Sequence, residues 1–93
     1  MKVMFYVPSH KVTKHFTNRL MSHFGGYTSY PVDGAWTKDP LTRKERIFDK
    51  NIRFEVVTQL VDEIRQFIKD YNQFNWKESC IYFEVIQSQT EFI

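Results

Sequence analysis

The sequence predicts an α+β sandwich in one domain spanning residues 1–93: an antiparallel sheet of four strands with two helices on one face. Three observations predict it. Apolar residues recur at helical spacing twice, over 12–24 and 57–71. Short β-branched and aromatic runs flank and separate those stripes. Pro or Gly punctuates the boundaries. The chain has 93 residues, and one this short buries only about 60–65% of the surface its unfolded form exposes, so it builds a single core. Aromatics at 17% of the chain, nine Phe and five Tyr among them, must carry much of that core.

Residues 3–7 form a β-branched and aromatic run closed by Pro8, the pattern of a buried first strand, expected to sit centrally. Ser9 is the expected N-cap of the first helix, in which Val12, Phe16, Leu20 and Phe24 recur every four residues. Gly25 and Gly26 stop it, since glycine takes the left-handed conformation at low steric cost. Residues 27–33 alternate as an extended strand whose Pro31 requires an edge or a bulge, with Gly34 as its break. Lys38, Asp39 and Pro40 signal a hairpin turn over 37–42.

Residues 45–52 read as the third strand, and the alternation of Ile52, Phe54 and Val56 leaves open its continuation to Val57. A helix near 58–73 follows from the stripe Val57, Leu60, Val61, Ile64, Phe67, Ile68 and Tyr71. The last strand is expected over 80–86, with Ile81, Phe83 and Val85 opposing Cys80, Tyr82 and Glu84. Strand, helix, strand, strand, helix, strand is the order that most readily gives the split βαβ, or ferredoxin-like, β-α-β-β-α-β sandwich.

The composition excludes several classes of function. A net charge of +2 is too slight for a nucleic-acid footprint, so no nucleic-acid partner is expected. The most basic stretch, 38–53, carries six basic against three acidic residues and could steer an anion or be a solvated face. Cys80 is the only cysteine, so no intrachain disulfide and no Cys-based metal framework exists, and it reads as an inert strand residue in the core. His10, His15 and His23 lack zinc-site spacing. No signal-peptide core or run of 18 apolar residues occurs, so a cytoplasmic protein without membrane contact is expected. Neither a nucleophile elbow nor a phosphate loop nor a nucleotide fingerprint is present, and no cofactor is implied.

Candidate site residues remain. Adjacent Gly25 and Gly26 let backbone N–H groups approach a ligand, or simply end a helix. Trp36 could stack on a base-like ring or fill the core under the hairpin. Glu45 and Glu78 stand near strand starts, facing either a cleft or solvent.

Together Phe24-Gly25-Gly26-Tyr27-Thr28, Gly34-Ala35-Trp36, Glu45 and Glu78-Ser79-Cys80-Ile81-Tyr82 resemble a pattern in small bacterial and phage ferredoxin-like proteins. Of these, the phage S-adenosylmethionine lyases are the nearest with a described activity. They are similar to trimeric PII-like folds that bind S-adenosylmethionine between subunits and break it to homoserine lactone and methylthioadenosine. The resemblance implies Glu45 and Glu78 as the catalytic carboxylates, with Tyr27, Tyr30 or Trp36 near the adenosine. It departs at Lys77, where the pattern has Gln, and in the polar linker 49–53. Intramolecular attack by the substrate's own carboxylate needs mainly positioning, so such a site can be poor in motifs.

Three function classes follow: an adenosine-ligand enzyme of the lyase kind; a non-enzymatic binder, either a signalling-nucleotide sponge or an inhibitor of a host enzyme; or an adaptor or structural subunit that pairs through exposed edge strands. All three favour a homo-oligomer, trimer or dimer, because a core this small leaves little room for a ligand cavity of about 300 Å³ or more.

Overall fold

The computed structural model describes residues 1–37, 46–87, 91 and 93, with side chains for all of these except 35–37 and 46–49. The elements run β1 (Lys2–Pro8), a 3-10 turn (Ser9–Lys11), α1 (Lys14–Phe24), β2 (Thr28–Thr37), β3 (Arg46–Val57), α2 (Val61–Tyr71), a π-helical turn (Asn72–Trp76) and β4 (Phe83–Ile86). The fold is α+β: an open sheet of four antiparallel strands and two helices, with strand order β2-β3-β1-β4. β1 is central, as its buried run requires. Pro31 lies on the edge strand β2, where a residue without an N–H can face outwards at no cost to the ladder.

Strand alternation divides the sheet into two unlike faces. Val3, Phe5 and Val7 of β1 stand in register with Val56, Phe54 and Ile52 of β3, and Val3 and Phe5 with Val85 and Phe83 of β4. These residues join Phe16 and Leu20 of α1 and Ile64, Ile68 and Tyr71 of α2 in one core, so both helices lie over this face. The Phe16 ring is the core's centre: it meets Phe5 and Phe54 edge-on below it, and Phe67, Tyr71 and Trp76 beside it. Among the described residues no helix lies over the opposite face, which carries Met4, Tyr6, Arg53 and Glu55.

Several boundaries differ from the sequence expectation. Ser9 does not cap α1; it opens the 3-10 turn, and the Thr13 hydroxyl accepts the Phe16 N–H at 3.2 Å instead. A Thr hydroxyl satisfies the free first-turn donors as well as Ser does, and it is the one at the right distance. Gly25 ends the helix as expected, with φ 86° and its N–H donating to the Met21 carbonyl at 2.8 Å. Gly34 is not a break, because β2 runs on through it to Thr37, paired with β3. The third strand takes the longer of its two readings, to Val57. The turn expected over 37–42 falls, beyond Thr37, outside the described residues.

β4 is shorter than expected and begins at Phe83. After α2, Lys77 adopts a left-handed φ of 57° and the Asn72 amide brackets Glu78, donating to its carbonyl at 3.0 Å and accepting its N–H at 2.9 Å. The chain then meets β1 where the Tyr6 N–H donates to the Tyr82 carbonyl. Cys80 therefore precedes the strand and is exposed rather than a core residue. Among the described residues no helix is long and apolar enough to cross a membrane.

Candidate functional site: the uncovered sheet face

A transverse row of planar side chains crosses the uncovered face. Tyr30 of β2 and Tyr6 of β1 both stand in register with Arg53 of β3 between them, and Tyr82, just before β4, completes the row. The Tyr6 and Tyr82 rings stack with centroids 5.3 Å apart and 19° between planes. The Arg53 guanidinium lies 5.7 Å from the centre of the Tyr30 ring, within cation–π range. Met4, buried although it faces away from the main core, lies on β1 two residues before Tyr6 and gives this face an apolar floor.

Arg53 is held by a three-way network. Its Nε and Nη2 donate to Glu55 Oε1 at 3.2 and 3.0 Å, and Tyr30 Oη donates to the same oxygen at 3.3 Å. Its Nη1 approaches Tyr6 Oη at 3.5 Å. The Arg53 and Glu55 side chains are 25% and 19% exposed, so the pair is screened by solvent far less than a fully exposed one. Tyr30 and Tyr82 are 40% and 54% exposed, which leaves ring surface free to meet a ligand.

Two phenols of the row titrate above the ordinary tyrosine value. At Tyr82 the hydrogen bond donated to Glu84 at 3.1 Å and that carboxylate's charge both favour the neutral phenol. At Tyr30 partial desolvation raises the pKa first; the positive Arg53 opposes it, and Glu55 adds to it. A group whose folded pKa is raised contributes stability that is present below its unfolded pKa, near 10 for Tyr, and lost as pH rises through the folded value. We therefore expect Glu84→Gln to move one phenol's tyrosinate absorbance transition to lower pH and to lessen the alkaline loss of stability. An unchanged ultraviolet titration contradicts that assignment.

Beside the row, Gly25, Gly26, Tyr27 and Thr28 line a surface hollow of about 310 Å³ together with Glu55. A Cβ added at either glycine would meet nothing within 4 Å, so the turn backbone is approachable. The structure thus brings Gly25, Gly26 and Tyr27 into one hollow, and the Glu55 carboxylate joins that hollow to Tyr30.

Glu78 stands elsewhere. Its Oε1 is 2.7 Å from Lys11 Nζ, which also donates to the Trp76 carbonyl at 2.6 Å. Lys11 follows the Pro8 end of β1, whereas Gly25 and Thr28 lie towards the Lys2 end, so Glu78 and the glycine turn occupy opposite ends of the sheet. Glu45 lies outside the described residues; Trp36 is in β2 in register with Ile47, and its side chain is outside the description. Among the described residues no cluster of three or more His, Cys, Asp or Glu could hold a metal ion.

Sequence reading missed Tyr6, Arg53, Glu55 and Tyr82 as site residues. The available signal was the alternation of 52–57, which puts Arg53 and Glu55 opposite the apolar Ile52, Phe54 and Val56. No protein-family model matches this chain, and no curated protein matches it significantly.

Proposed function

We propose that this chain is a binding module that holds an adenosine-containing small molecule, its base stacked on the uncovered face of a ferredoxin-like sandwich. Strand order β2-β3-β1-β4, taken with the chain order of the elements, supports that finer description of the fold. The observation that carries the functional reading is the Tyr30, Arg53, Tyr6, Tyr82 row on the sheet face that no helix covers among the described residues. Aromatic rings and a guanidinium stack on any base, at about 1–3 kcal/mol per base. The hollow at Gly25 to Thr28 lies beside the row, within reach of the sugar or its substituent.

Binding without catalysis is the form this geometry supports best. Glu55 is the carboxylate of the hollow, and its Oε1 is already taken by donors from Arg53 and Tyr30. The lyase reading needs little acid–base help, and product formation separates it from simple binding. The test is calorimetric titration of the protein with S-adenosylmethionine and with adenosine nucleotides, followed by chromatography of the mixtures. We expect binding of at least one of them, weakened roughly five- to a hundred-fold by Tyr82→Ala, and no methylthioadenosine. Methylthioadenosine release converts the assignment to a lyase. Absence of binding at millimolar ligand, or binding indifferent to both Tyr82→Ala and Tyr6→Ala, removes it.

A further inference from the structure

On the side of the molecule opposite the tyrosine–arginine row, α1 and α2 leave a groove between them. The helices run antiparallel: His15 near the start of α1 bonds Tyr71 at the end of α2, while His23 and Phe24 near the end of α1 meet Phe67. Two hollows, of about 580 and 200 Å³, adjoin along this groove, with Phe67 and Asp70 lining both. Its apolar surface extends from Leu60, 47% exposed, to Phe74, 70% exposed. Leaving a phenylalanine that open forgoes the burial that usually makes aromatic residues dominate cores and interfaces.

The walls differ in sign. The α1 wall carries Arg19 and His23, and the α2 wall carries Glu63 and Asp70. They are matched in height: Arg19 lines the same hollow as Asp70, and His23 lines the same hollow as Glu63. Among the described residues no ion pair spans the groove; Arg19 lies over the Phe67 ring and Asp70 accepts from Gln66.

We infer that this helix face is a two-fold interface with a second copy of the chain. A two-fold axis lying along the groove, in the plane of the interface, carries each wall onto the partner's opposite wall at the same height. Arg19 then faces the partner's Asp70, and His23 faces the partner's Glu63, in a self-complementary contact of the kind closed dimers use. The apolar floor and Phe74 supply the burial, and the charges fix the register. Because the groove lies on the helix layer, this contact leaves the row on the sheet free and stands whether or not a ligand binds there.

Sedimentation equilibrium of the full chain tests the inference, with circular dichroism as the check on folding. Dimer is expected at micromolar concentration. Arg19→Asp and Asp70→Arg each set like charges across the axis and should weaken it at least roughly tenfold. An equimolar mixture of the two variants restores both attractive pairs and should dimerise as the unchanged chain does. Phe74→Ser weakens the dimer without altering charge. A chain that stays monomeric at about 100 µM, a trimer, or a dimer that none of these substitutions weakens overturns the assignment.

Discussion

Replacing Phe16 by Ala should destabilise the protein by about 3–5 kcal/mol, the largest effect expected of any single substitution in the core. Phe16 is fully buried and is the side chain through which the layers meet: Phe5 and Phe54 from the sheet, Phe67 and Tyr71 from α2, and Trp76 from the π-helical turn all touch its ring. Truncation removes the transfer free energy of a phenyl ring and leaves a void that five rigid neighbours cannot collapse to fill. Domains of this size hold only about 5–15 kcal/mol in all, so the variant should lose about a fifth or more of its stability. Its melting midpoint should fall by roughly 12 °C or more, at about 4–8 °C per kcal/mol. Urea unfolding followed by circular dichroism measures this, and a loss under about 1 kcal/mol would show that the core does not depend on this ring. Phe16→Leu, which keeps most of the volume, should cost less.

Arg53→Ala should have the largest combined effect on the uncovered face. It strips Glu55 of its ion pair, takes the cation from the Tyr30 ring, and removes the link to Tyr6. Both partners are partly buried, so the cost falls between that of exposed pairs, about 0–1 kcal/mol, and that of buried ones, about 3–5 kcal/mol. We expect about 1–3 kcal/mol by urea unfolding, the range for a partly buried charge left without its hydrogen bonds. Adenosine-ligand affinity should drop roughly tenfold or more in the same variant, because the planar centre of the row is gone.

Arg53→Lys separates the two effects. It retains the charge, and with it much of the stability, but lacks the flat fork that can both pair bidentately and stack. Should the Lys variant bind as tightly as the unchanged protein, stacking on the guanidinium is not what holds the ligand. A double-mutant cycle with Glu55→Gln isolates the pair, and a coupling near zero would mean that Arg53 and Glu55 act independently.

Much of this architecture is written along the chain. The β-branched and aromatic runs at 3–7, 27–33, 45–57 and 80–86 and the helical stripes at 12–24 and 57–71 locate the four strands and two helices, though not the 3-10 and π-helical turns, because each run depends only on neighbours within a few residues. The stop at Gly25 and the edge position of Pro31 are also local, set by one residue's backbone freedom or its missing donor. The start of β4 is different. The sequence of 80–82 suits a strand, but the strand begins only at Phe83, after a segment whose Glu78 backbone is bonded to the Asn72 side chain six residues earlier, a contact that no periodicity reveals.

The candidate site is divided in the same way. Gly25, Gly26, Tyr27 and Tyr30 could be singled out as residue types, and strand alternation assigns Tyr82 and Arg53 to the side away from the apolar residues. Which of them become neighbours depends on register between strands far apart in sequence, Tyr6 with Arg53 and Arg53 with Tyr30. A shift of one residue is excluded by the apolar alternation, but a shift of two would keep each side chain on its face and change its neighbours, and nothing local specifies which is adopted. By itself, then, the sequence determined the helices, the strands and the side of each strand that is apolar, since those follow from short-range periodicity. Only the tertiary structure decided that three tyrosines and an arginine share a row, that Glu55 rather than Glu78 adjoins the glycine turn, and that Glu78 is tied to Lys11, because each is a long-range contact made when the core closes.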